Sequence, residues 1–178
     1  LKIAFVAFQI PWILEKIMSI TFKDSDKTEE YLGFFLKYSI LAGFIIIIGY
    51  LLLGLPVLEY IFKVNDVMFT FYIGLIILSC VSLLIISRPF VSLIIVKYDI
   101  KKFFLFITMP TIVIGLIGYI ILTFMYGPIG TAFGNIVNYG LFLVLVLVYS
   151  IPKVKPKFGF DVDKRVFGEI FKNIGRFF

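Results

Sequence analysis

The sequence has no histidine, a single cysteine and few charged residues. Charged residues make up 16% of its 178 positions, whereas 61% are hydrophobic and 19% are aromatic. With Cys80 alone and no histidine, the chain has no Ser-His-Asp triad, no Cys/His zinc site and no intrachain disulfide. So few charges cannot cover a water-soluble globule, which excludes a cytosolic enzyme and a secreted disulfide scaffold. We expect a polytopic membrane protein without a metal or a cofactor.

Long uncharged runs predict membrane spans. A helix of about 20 apolar residues crosses a hydrocarbon core of about 30 Å. Because lipid offers backbone groups no partners, and no run alternates like a barrel strand, each run should be helical. The predicted fold is an all-α transmembrane bundle of about five helices. The first one is partial, because it continues past Glu15 and Lys16 to Phe22 but is cut short at its start by the boundary of the chain. The predicted helices cover residues 1–22, 38–60, 67–96, 103–126 and 129–151.

The basic residues predict the orientation. Thirteen of the 17 lie in the 23–37 loop, the 97–102 loop and the tail, whereas Lys2 and Lys63 lie in the opposite connections. Bases collect on the cytoplasmic side, so we expect a multi-pass protein of the cytoplasmic membrane with its tail inside. The same bases should meet anionic phospholipids rather than nucleic acid. An outside start at Leu1 without a signal sequence indicates that a preceding helix is missing.

Two polar stretches predict further helix starts. Asp26 followed by Glu29 is typical of a capping box that begins the second helix. In the tail, residues 152–178, apolar and basic residues separate onto two sides at helical spacing. This pattern predicts either a helix lying in the cytoplasmic leaflet or a linker to another span, and the two are compatible. The bases expected at the lipid surface are Lys164, Arg165, Lys172 and Arg176.

Arg88 is the basic residue that interrupts the third run, and its position needs a reason. A charge at the bilayer centre costs about 2.5 to 3.5 kcal/mol on insertion scales. One interpretation is that Arg88 snorkels to the inner head groups from a site about 13 Å below Lys97. The other is that Arg88, with Ser87 and Ser92 beside it, faces a cavity and binds an anionic group, since a guanidinium matches phosphate geometry.

Prolines and small residues indicate kinks or close helix packing. Pro89 and Pro11 lie inside predicted helices, where a proline removes a backbone hydrogen bond. Gly127 stands at a short corner, and Gly130 and Gly134 form a GxxxG motif that lets helices approach closely. Asn135 and Asn138 lie on one face of the last helix and should bond across helices.

The order of these features resembles the C-terminal half of a polysaccharide flippase of the multidrug, oligosaccharidyl-lipid and polysaccharide exporter superfamily. The resemblance covers about 150 residues, and the short basic turn departs from it where the family usually has glycine. It rests on the charged stretch 23–30, the segment 55–62, the basic turn 96–102 and the corner Tyr126-Gly127-Pro128-Ile129-Gly130-Thr131-Ala132.

The resemblance implies one part of a transporter with 12 or 14 helices. Such a protein passes a polyprenyl-diphosphate-linked oligosaccharide across the cytoplasmic membrane by alternating access, and no bond is broken. Its partners would be the lipid-linked oligosaccharide and the missing half of the same transporter. Other exporters of the superfamily, for drugs or cell-wall lipid precursors, remain alternatives. So do a membrane-embedded polymerase or glycosyltransferase component, disfavoured by the short outer loops, and a non-transporting subunit.

Overall fold

The computed structural model describes residues 2–24, 27–159, 161 and 163–168, and these residues form helices joined by short connections without a β-strand. The all-α prediction is therefore confirmed. Two π-helical turns, Val57–Ile61 and Phe104–Thr108, follow α2 and precede α5. The helices are α1 (Lys2–Asp24), α2 (Thr28–Pro56), α3 (Val67–Lys97), α4 (Ile100–Phe103) and α5 (Met109–Ser150).

Three continuous helical segments are long and apolar enough to cross a membrane. They are Thr28–Ile61, Val67–Lys97 and Ile100–Ser150, with 34, 31 and 51 residues. Most of the large apolar side chains on α5 are exposed on the bundle surface, where a water-soluble fold would bury them. The chain is thus a multi-pass membrane protein.

The longest segment turns back on itself at Gly127. A straight helix of 51 residues would extend about 76 Å, far beyond the apolar core of a bilayer. Gly127 has φ 58° and ψ −136°, a left-handed conformation that favours glycine, and Pro128 follows directly. Thr131 beyond the turn contacts Thr123 before it, with 3.0 Å between their hydroxyl oxygens. The two arms of α5 therefore form an antiparallel hairpin.

Glycines allow the arms of this hairpin to touch. A Cβ atom on Gly130 would lie 1.8 Å from the carbonyl oxygen of Leu122, and one on Gly134 would lie 2.9 Å from the Cα atom of Tyr119. Such distances leave no room for a side chain. The predicted GxxxG motif thus packs one arm of α5 against the other.

The connections divide the bundle into two ends. One end, called here the basic end, holds the end of α1, the start of α2, the end of α3, α4 and the tail; the other holds the short turns near Lys63 and Gly127. Helix α3 packs against α1, α2 and α5 and is the centre of the bundle. The main apolar core lies toward the basic end and includes Phe22, Leu32, Phe90, Ile94, Val146 and Val166.

The start of α2 corrects the capping prediction. The N-cap residue is Lys27, whose side chain makes no capping hydrogen bond, and the Glu29 carboxylate pairs with Lys157 instead. Asp26 lies outside the described residues. Asn135 also differs from its prediction, since its side-chain nitrogen donates to the Thr131 carbonyl of its own helix at 3.1 Å.

Candidate functional site

The candidate site lies where α1, α3 and α5 meet. Arg88 stands nine residues before the end of α3, and Glu15 stands nine residues before the end of α1. Both helices run toward the basic end, so the two charged side chains reach similar depth, about 13 Å from their helix ends. The placement brings together an acid and a base that are 73 residues apart in the chain.

Arg88 and Glu15 form an ion pair inside the bundle. Nη1 of Arg88 donates to Oε2 of Glu15. Their side chains are 14% and 25% exposed, so both charges are largely removed from the bundle surface. An isolated charge in such surroundings is costly, and an opposite charge in direct contact offsets much of that cost. Each of the two residues thus has a partner of opposite charge within the bundle.

The ion pair leaves part of the guanidinium unused. The Nε atom of Arg88 is buried and has no hydrogen-bond partner among the described residues. Tyr139 on α5 lies within electrostatic range of Arg88, so a third helix also borders the pair. A guanidinium has five N–H donors, and a carboxylate on Nη1 occupies only some of them. The Nε donor of Arg88 is therefore not used by the ion pair with Glu15.

The two serines beside Arg88 are buried and already bonded. Ser87 donates to the carbonyl of Leu84 at 2.8 Å, one turn earlier in α3. Ser92 donates to the backbone carbonyl of Glu15 at 3.3 Å and so ties α3 to α1 at the level of the ion pair. Ser92 and Arg88 both donate to Glu15, whereas Ser87 donates to a carbonyl of its own helix.

The two prolines that indicated kinks are fully buried. Pro89 follows Arg88 within α3, and Pro11 lies within α1 one turn before Glu15. Both helices continue through their prolines. Each proline lacks a backbone N–H, so the carbonyl four residues earlier has no helical donor at these points.

The predicted lipid-facing bases of the tail have different positions. Lys164 is exposed. Arg165 lies against the start of α2, with Nη2 3.4 Å from Oε2 of Glu30. Lys172 and Arg176 lie outside the described residues.

Sequence reasoning missed the role of Glu15. The sequence did contain evidence for it, because a carboxylate inside an apolar run needs a basic partner for the same reason that Arg88 needs an acidic one. Among the described residues, no three histidine, cysteine, aspartate or glutamate side chains come close enough to hold a metal ion.

Compared with protein-family models, with curated proteins and with solved structures, the chain gives no match. The fold and the site define the class by themselves. It is a multi-pass, all-α membrane protein whose central helix carries an arginine paired with a glutamate of a neighbouring helix.

Proposed function

We propose that this chain is part of a membrane transporter that moves a polyprenyl-diphosphate-linked oligosaccharide across the cytoplasmic membrane. The transporter resembles the exporters of the multidrug, oligosaccharidyl-lipid and polysaccharide superfamily and serves surface polysaccharide biosynthesis. In this proposal the chain crosses the membrane five times with its basic end in the cytoplasm, and the remaining helices of the transporter complete the cavity.

The observation that carries the proposal is the ion pair of Arg88 and Glu15 within a bundle of apolar helices. Intramembrane charges are rare because they are expensive, and those that are kept mark substrate or ion pathways. The resemblance of the sequence to the exporter superfamily supports the same function. One of the segments that carry this resemblance, the Tyr126–Gly127–Pro128 corner, is where the chain turns back.

The proposed role of Arg88 is to contact the diphosphate of the lipid carrier. A diphosphate offers several charged oxygens that can accept from a planar guanidinium in a two-point arrangement. In the structure, Glu15 provides a carboxylate at Nη1, so an arriving diphosphate would compete with Glu15 for the same donors. Exchange of one anion for another keeps the guanidinium paired in both states and leaves the displaced Glu15 carboxylate without its base while the diphosphate is bound.

The serines have a different part in the proposal. Ser92 fixes the backbone of α1 beside the ion pair, at 3.3 Å from the Glu15 carbonyl, and Ser87 is bonded within α3. Because both hydroxyls are occupied and buried, we assign the anion contact to Arg88 alone and a packing role to the serines.

Transport by variants at this pair tests the proposal. Arg88→Lys keeps the charge but loses the planar fork, so it should retain partial transport. The double variant Glu15→Gln/Arg88→Gln removes both charges together and avoids an unpaired one, yet it has no guanidinium and should lose transport. The measurement is restoration of surface polysaccharide in a deletion strain by the full-length transporter, at equal membrane abundance.

The matched control is Glu15→Gln alone, which keeps Arg88. It should retain more transport than the double variant, once abundance is equalised. Normal polysaccharide from the double variant would assign the ion pair to helix packing and remove Arg88 from the substrate path.

A further inference from the structure

The tail does not extend away from the bundle. Its described residues 153–159, 161 and 163–168, called here the strap, leave the end of α5 and cross the first turns of α2. The backbone N–H of Lys157 donates to the carbonyl of Glu29 at 3.0 Å. A Cβ atom on Gly33 would lie 1.9 Å from the Lys157 carbonyl oxygen, so the strap backbone lies directly against the α2 backbone at this glycine.

Three ion pairs join the strap to α2. Nζ of Lys157 lies 2.7 Å from Oε2 of Glu29, and Nη2 of Arg165 lies 3.4 Å from Oε2 of Glu30. Lys37 pairs with Asp163, whose side chain is only 10% exposed. The hydrogen bond to Glu29 and then its charge raise the pKa of Lys157 above its ordinary value.

Apolar contacts complete the docking. Val166 is 1% exposed and belongs to the main core. The ring of Phe167 meets Phe34 edge-on at 5.3 Å between centroids and meets Tyr38 in the same way at 5.9 Å. The Phe167 ring therefore contacts α2, whereas Phe158 in the same strap is 61% exposed.

The strap connects α5 to α2, two helices that pack on the same central helix, α3. α2 and α5 each pack on α3, and the strap runs from the end of α5 to the start of α2 at the basic end. Partly exposed ion pairs contribute little each and weaken with salt. The docking therefore combines a small apolar anchor with a charge component that ionic strength can reduce.

We propose that the strap is a charge-held tie that keeps the basic ends of α2 and α5 together and opens when its ion pairs are screened or reversed. Its opening frees these two helix ends to separate. This inference rests on the docking geometry and does not depend on the proposed transport function.

Hydrogen exchange of the intact protein in neutral-lipid nanodiscs tests the docking. Gly33→Ala places a methyl group against the Lys157 carbonyl and should speed amide exchange in residues 153–159 at least tenfold. Gly49→Ala is the matched control, because a Cβ atom on Gly49 has open space around it in the same helix. It should leave exchange in the strap unchanged. Raising sodium chloride from 50 to 500 mM should speed exchange of the parent strap severalfold.

Charge variants keep the test informative if Gly33→Ala does not fold. Glu30→Arg should speed exchange around Arg165, and Glu30→Arg/Arg165→Glu should restore it. Lys155→Glu is the control within the strap, because Lys155 is exposed and makes no ion pair among the described residues. Exchange that is insensitive to salt and to Glu30→Arg would overturn the charge-held tie.

The distance between spin labels at Thr28 and Ile151, in a Cys80→Ser background, tests the consequence for α2 and α5. The parent should give one narrow distribution, and Glu30→Arg should broaden it toward longer distances. A distribution that stays narrow while the strap exchanges fast would show that the strap docks without holding the helices together, which also overturns the proposal.

Discussion

Replacement of Arg88 by glutamine is expected to lower the free energy of unfolding by about 3 kcal/mol. The change removes the base and leaves the Glu15 carboxylate largely buried without its partner. Breaking a buried pair in this way costs about 3 to 5 kcal/mol, and the remaining exposure of both side chains places the effect at the lower end. Reversible unfolding in mixed detergent micelles, followed by circular dichroism, measures it.

A double-mutant cycle separates the pair from the individual side chains. Glu15→Gln should cost a similar amount, whereas Glu15→Gln/Arg88→Gln should cost only about 1 kcal/mol because no charge is left unpaired. Lys157→Gln is the comparison at an exposed pair, whose side chains are 65% and 43% exposed, and should cost much less than either single variant. Additive losses in the double variant would show that the two charges are not coupled in the folded protein.

Gly130→Ala is expected to destabilise the protein by about 2 kcal/mol and to open the α5 hairpin. Its methyl carbon would lie 1.8 Å from the Leu122 carbonyl oxygen, and a helix backbone cannot move aside as a flexible side chain can. Overpacking of this kind typically costs about 1 to 3 kcal/mol. The unfolding measurement described for Arg88 reports the loss.

Gly140→Ala provides the control in the same arm of α5. A Cβ atom on Gly140 has no neighbour within 4 Å. There the higher helix propensity of alanine should stabilise the protein by about 0.5 kcal/mol. Equal effects at the two glycines would contradict the close contact between the arms.

The helices themselves could be predicted from the sequence, because lipid leaves few alternatives for backbone hydrogen bonds. The three long apolar helical segments, Thr28–Ile61, Val67–Lys97 and Ile100–Ser150, overlap the predicted spans from residue 38 onward, and the predicted corner at Gly127 is the turn of the hairpin. The start of α2 was less predictable. Asp26 and Glu29 have capping-box spacing, but Glu29 has a competing partner in Lys157, 128 positions later in the chain.

The ion pair was only half predictable. The cost of a charge in a span singles out Arg88, and the same argument applied to Glu15 would have supplied its partner. Which helices become neighbours depends on side-chain packing between α1 and α3, and local hydropathy carries no information about that. Ser92 illustrates the limit, since its hydroxyl bonds to the Glu15 carbonyl 77 positions away.

The tail shows how one pattern fits two environments. Separated apolar and basic sides are typical of a helix at a lipid surface, yet the same sides can dock on a protein that offers apolar rings and acids. The start of α2 has an aromatic ring, that of Phe34, and an acid, Glu30, in contact with the tail. Contact of Lys164, Arg165, Lys172 and Arg176 with anionic lipid stays a prediction.

The most direct test of the proposed function is the fate of the lipid-linked oligosaccharide when the full-length protein is removed. In a deletion strain we expect the complete polyprenyl-diphosphate oligosaccharide to accumulate in the inner leaflet while surface polysaccharide is lost, because synthesis continues and transfer stops. Lipid extraction with mass spectrometry, combined with leaflet-specific labelling of the glycan, measures both amount and side. An oligosaccharide that is truncated or missing would instead indicate an enzyme, and an unchanged amount on both leaflets would contradict the transporter.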